Sequence, residues 1–125
     1  MTSALRGTAL VTGASRGIGR AVTTRLARDG FSIIAAARHR EELDALCAEL
    51  RAAGGDCTAL VLDLGDPAAV ATALAGLEVD VLVNNAGVAV QKPFVDLTAE
   101  EWHRMLDVNV SSLFHFTRAV LPGMI

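Results

Sequence analysis

The stretch with the clearest chemistry is Thr12-Gly-Ala-Ser-Arg-Gly-Ile-Gly19, directly after the apolar run Thr8-Ala9-Leu10-Val11. Glycines at 13, 17 and 19 suit three tasks: turning the chain sharply, letting a ligand approach the backbone, and packing a helix against a strand. A helix N-terminus offers unpaired N–H groups and a partial positive charge, so an anion docks there when no side chain intervenes. Following a strand and opening a helix, the loop reads as a pyrophosphate cradle for a dinucleotide. The plainer alternative is a tight turn without a ligand.

A second group of residues bears on which dinucleotide. Sites for NAD usually place Asp or Glu at the end of the second strand, where it bonds the ribose 2′-hydroxyl. Here the chain reads Ala35-Ala36-Ala37-Arg38, with Arg16 in the glycine loop. Two cations and no acid favour the 2′-phosphate of NADP over NAD, although either arginine alone would pass for a solvated surface residue.

The elements that would position these groups alternate strand and helix. Thr8–Thr12 reads as a first strand, and Ile18, Ala21, Val22 and Leu26 give a helix from Gly17 to Asp29 an inward face, with Gly30 at its end. Phe31–Ala37 reads as the second strand, and Leu43, Leu46, Cys47 and Leu50 share one face of the next helix. Gly54-Gly55-Asp56 ends that helix and Thr58–Leu62 forms a third strand. Asp66 and Pro67 suit N-cap and first helical position, with Val70, Leu74 and Leu77 turned inward. Val79–Val83 is the fourth strand and runs into Asn84-Asn85-Ala86-Gly87. Thr98 and Glu101 match a capping box, and Leu106, Val110, Leu113, Phe114, Thr117 and Leu121 mark a long buried stripe. Phe94 and Trp102 read as core or cofactor-side packing. The pattern implies an α/β fold, doubly wound around a parallel sheet.

Bulk properties agree with one packed domain over residues 1–125. The chain is 52% hydrophobic and 20% charged, with a net charge of -3 that gives no reason to expect nucleic acid or a membrane surface as partner. It has neither a signal-like N-terminus nor an apolar run long enough to span a bilayer, so a cytoplasmic protein is expected. Cys47 and Cys57 lack metal-ligand spacing and read as reduced core thiols. No metal site is expected.

Taken together, Thr12–Gly19, Asp63-Leu64-Gly65-Asp66, Asn84–Gly87, and Asn109 in Trp102-His-Arg-Met-Leu-Asp-Val-Asn109 resemble the short-chain dehydrogenase/reductase family, in its short single-domain branch. The resemblance runs along essentially the whole chain. It implies a Rossmann-like sheet whose first strands are ordered 3-2-1-4, and a cofactor site formed by Gly13, Ser15, Arg16, Gly17, Ile18, Gly19, Arg38, Asp63, Leu64, Asn85, Ala86 and Gly87. In that family an acid at the position of Asp63 contacts adenine; a carboxylate here could also simply bond the turn that follows. Asn84–Gly87 resembles the segment that supports the sheet and passes beside the cofactor ribose, though an Asn-rich turn looks similar. Asn109 resembles the helix asparagine that holds a water in the family's proton relay, and is the one catalytic candidate.

The family's reaction is hydride transfer between the nicotinamide and a small-molecule carbonyl or alcohol. It uses a Tyr as general acid/base, a Lys four residues later and an upstream Ser. This chain has no Tyr, and its one lysine, Lys92, follows the Asn-Asn-Ala-Gly segment. The expectation is therefore the cofactor-binding half of an NADP-preferring reductase about twice as long, its sheet cut after four strands, inactive by itself and drawn from a homo-oligomeric parent. The alternative is a non-catalytic dinucleotide-binding or interaction module that functions at this length.

Overall fold

The computed structural model describes residues 6–125. Four strands, β1 (Thr8–Thr12), β2 (Ser32–Ala37), β3 (Asp56–Val61) and β4 (Val81–Val83), form one parallel sheet in the order β3-β2-β1-β4. The expected α/β fold and strand order are thus observed, with strand ends shifted by one or two residues. The helices are α1 (Gly17–Arg28), α2 (Arg40–Ala52), α3 (Pro67–Leu74), α4 (Ala99–Leu106) and α5 (Ser112–Met124). A single wide π-type turn over Asp107–Ser111 joins α4 to α5.

Alternation along each strand sends side chains to opposite sheet faces, so each face carries its own core. Ala9, Val11, Ile33 and Ala35 pack with Leu43, Leu46 and Leu50 of α2. On the other face Leu10 and Ala36 pack with Val70 and Leu74 of α3 and with Phe116 and Val120 of α5. Both faces are covered by helices, as a parallel sheet requires.

Local chemistry sets the helix ends. Asp66 Oδ1 accepts from the N–H groups of Ala68 and Ala69 at 3.1 and 3.3 Å, and Pro67 opens α3. Thr98 and Glu101 form the expected capping box at α4. Glu101 titrates below its ordinary value: its bonds to Lys92 and then to the Thr98 backbone favour the charged form.

Several expectations about buried faces are corrected. In α1, Gly19 and Thr23 are buried while Ile18 is 75% exposed and Ala21 is also exposed. The helix sits too close to the strands for large residues, and the Thr23 hydroxyl turns back to the Gly19 carbonyl at 2.7 Å. Leu77 is exposed because α3 stops at Leu74 and Gly76, at φ +77°, redirects the chain. The stripe Leu106, Val110, Leu113, Phe114, Thr117 and Leu121 is not the buried one; the core takes Val108, Ser112, Phe116 and Val120. The π-type turn holds more residues than an α turn, so a continuous 3.6-residue count through it falls out of phase. Phe94 is 81% exposed in a short 3-10 turn and Trp102 is also exposed, since neither faces a described layer.

Cys47 and Cys57 are buried as expected but are not free thiols, because the structure joins them in a disulfide. Cys47 lies on the sheet-facing side of α2 and Cys57 points to the same face from β3, with their Cα atoms 5.1 Å apart. That separation suits a bridge. Sequence spacing alone does not reveal which face each thiol shares.

Candidate functional site

The C-terminal ends of β1, β2 and β4 surround a cleft of about 500 Å³. It lies where chain order around the sheet reverses direction, the usual ligand crevice of open α/β sheets. Its lining includes Gly13, Ser15, Arg16, Arg38, Leu64, Asn85 and Gly87. These seven expected cofactor residues, 74 positions apart at the extremes (87 minus 13), are therefore brought together.

The glycines divide the work by geometry. Gly13 turns at φ +64°, and a Cβ there would press on Ala86 Cα and the Asn85 carbonyl at 3.1 Å. Gly17 opens α1 at φ +60° with nothing within 4 Å of where its Cβ would lie, leaving the helix N-terminus free to be approached. Gly19 packs so closely that a Cβ would collide with the Gly13 carbonyl and the Asn85 amide. Gly17, Ile18 and Gly19 contribute the helix start rather than the cleft wall.

Opposite the loop, Thr12 organises the end of β4. Its hydroxyl oxygen accepts from the N–H groups of Asn85 and Ala86, at 2.9 and 3.0 Å, and donates to the Val83 carbonyl at 3.4 Å. The Asn85 amide donates to the Gly13 carbonyl at 3.2 Å. Asn84 instead reaches Thr117 on α5 at 3.2 Å. Ala86 lies behind the lining, packed against the α3/α5 core.

Two arginines face the space beside the end of β2. Arg16 pairs with Glu42 of α2 at 3.1 Å, both side chains well exposed. Arg38 lines the cleft next to His39.

Asp63 accepts from the Gly65 N–H at 3.0 Å, so the turn-bonding alternative is realised. It is not the whole role, because Arg104 Nη1 also donates to Oδ1 and Oδ2 at 2.7 and 2.9 Å. Partial burial pushes the Asp63 carboxyl up, but the Gly65 bond, Arg104 and then Arg38 outweigh it and hold it below the ordinary carboxylate value. Asp63 is not itself a lining residue, but its neighbours Leu64 and Arg104 are, and its side chain is partly exposed beside them.

Asn109 lies in the π-type turn. Its Oδ1 accepts from the Val88 N–H at 2.7 Å and its Nδ2 donates to the Val88 carbonyl at 2.8 Å. The side chain thus pairs like a peptide group with the backbone after Gly87.

Sequence reasoning missed Arg104, His39, Val88, Ala89 and Val108 as lining residues. Arg104 carries no local signal, since its partner is 41 residues away. The capping box fixes the start of α4 but not what its faces meet. Among the described residues, no helix is long and apolar enough to cross a membrane.

A family model described as short chain dehydrogenase matches residues 7–125. Serine 3-dehydrogenase of Rhizobium radiobacter is 37% identical over 127 residues, pairing 97% of this chain with 50% of that protein. An NADP-dependent 3-hydroxy acid dehydrogenase of Shigella flexneri is 40% identical over 122 residues, covering 93% of this chain and 48% of the relative. A metagenomic short-chain oxidoreductase solved in complex with NADP superposes with a TM-score of 0.90 at 36% identity, covering 97% of this chain and 57% of that one. The chain spans about half the length of the curated relatives it matches.

Proposed function

We propose that this chain, which belongs to the short-chain dehydrogenase family, is the dinucleotide-binding part of an oxidoreductase that uses NADP(H). One observation carries the reading: Arg16 and Arg38 line the same cleft as the glycine loop, and the end of β2 supplies no carboxylate. The relatives support it, one being NADP-dependent by name and one solved with NADP.

The residues present fit that ligand. Gly13, Ser15, Gly17, Ile18 and Gly19 give the pyrophosphate a helix N-terminus whose approach is open at Gly17. Arg16 and Arg38 take the 2′-phosphate, with Arg16 shared with Glu42. Asp63 and Leu64 border the adenine, and Asn85, Ala86 and Gly87 form the ribose side. Bound there, NADP(H) supplies the hydride exchanged with a small-molecule carbonyl or alcohol. Asn109 serves the proton relay, and with both side-chain amide atoms held by Val88, a water is left to its main chain.

The chain has no Tyr, so the family's proton donor is assigned to sequence outside these 125 residues. Residues 1–125 are then an incomplete domain, and this part alone binds without turnover. The exposed apolar side of α5, with Leu113, Phe114 and Leu121, suits a homo-oligomeric parent.

Titration of the chain with NADPH and NADH tests the reading. Charge-assisted bonds to the 2′-phosphate contribute roughly 1.5–3 kcal/mol, or about ten- to a hundredfold tighter binding of NADPH. Equal affinities overturn the NADP preference, and binding of neither overturns the dinucleotide reading.

A further inference from the structure

We propose that Arg104 is a positioning residue of the adenine subsite, fixing the Asp63 carboxylate to receive the 6-amino group of the bound adenine. The inference rests on the NADP(H) reading above. Arg104 Nη1 grips both carboxylate oxygens while the Gly65 N–H holds Oδ1, so the carboxylate is locked against rotation from two directions. Oδ1 then carries two donors and Oδ2 only one. A carboxylate has about four lone-pair sites, so Oδ2 keeps capacity for a further N–H donor.

Access and construction agree. The Asp63 side chain is 44% exposed, and its neighbours Leu64, Arg104 and Val108 line the cleft. Gly65 is what lets the guanidinium come this close: a Cβ there would stand 2.8 Å from Arg104 Nη1 and 3.1 Å from Val108 Cγ2. Without Arg104, Asp63 would keep the Gly65 bond and the field of Arg38 but could swing about its side-chain torsions. An ordered acceptor distinguishes an amino group from a carbonyl oxygen at the same ring position, because the second places acceptor against acceptor.

The experiment compares the affinity of the full chain for NADPH and for its hypoxanthine analogue, in which a carbonyl oxygen replaces the 6-amino group. The native chain should prefer NADPH by roughly tenfold or more. Arg104→Met should bring the two affinities within about twofold of each other, mainly by weakening NADPH; Arg104→Lys should recover part of the preference. Asp63→Ala should abolish the preference, and adding Arg104→Met to it should change nothing further. If Arg104 only clamps α4 in place, its loss weakens both dinucleotides equally and the native ratio survives, which overturns the proposal. A native chain indifferent to the 6-amino group also overturns it. Failure to bind either dinucleotide is a separate result, because it removes the functional reading on which this one stands.

Discussion

The glycine loop and the α4–α5 segment reach the same cleft by different means. In the loop, shape comes from what residues lack: Gly13 and Gly17 adopt positive φ, and Gly19 leaves room for the Gly13 carbonyl. In the second segment, shape comes from side-chain bonds across long stretches of chain, Arg104 to Asp63 and Asn109 to Val88. The first kind of site has no room for an added atom at Gly19 and strains one at Gly13 and Gly17, whereas the second tolerates most changes that keep donors and acceptors in place.

That contrast sets an order of expected effects. Gly19→Val should be the most damaging, since its added atoms first meet the backbone carbonyl of Gly13, which cannot swing aside, and then the Asn85 amide. A loss on the order of 3 kcal/mol or more, with loss of NADPH binding, is expected by denaturant unfolding. A near-native midpoint would show that the loop can yield, and the contrast would fail. Arg38→Asp should reduce the NADPH-to-NADH affinity ratio about ten- to a hundredfold; an unchanged ratio returns Arg38 to the solvated surface. Asn109→Asp keeps an acceptor for the Val88 N–H but loses the donor to its carbonyl. About 1 kcal/mol or more of stability should go, because a carboxylate oxygen then faces the Val88 carbonyl, and Asn109→Ala should lose about as much.

Smaller effects probe charge. Because the folded Asp63 carboxyl is held below its unfolded value, its stabilisation is present above about pH 4 and is lost as pH falls through the folded value. Arg104→Met should therefore lower stability at neutral pH, with the difference from the native chain shrinking on acidification below about pH 4. A pH-independent difference would place the effect in packing. Glu42→Gln frees Arg16 from an exposed ion pair, and should tighten NADPH by no more than about fivefold, judged by competition binding in low salt.

How much was legible follows the same division. The strand order, the capping at Asp66 and Thr98, and the gathering of Gly13, Ser15, Arg16, Arg38, Leu64, Asn85 and Gly87 all follow from local signals in known register. The buried face of α5 did not, because the wide turn before it shifts the helical phase and apolar residues lie on both sides. Ile18 misled because a helix packed this tightly buries glycine and threonine in place of larger residues. The Cys47–Cys57 bond and Arg104 depend on tertiary neighbours that composition and periodicity do not name.

The paired hydrogen bonds between Asn109 and Val88 have a mechanical consequence. A single hydrogen bond would let the turn before α5 pivot, but two antiparallel ones transmit rotation as well as translation. Val88 is part of the cleft wall. A tilt of the turn that joins α4 to α5 would therefore move the wall with it, which makes this amide a linkage between that turn and the site.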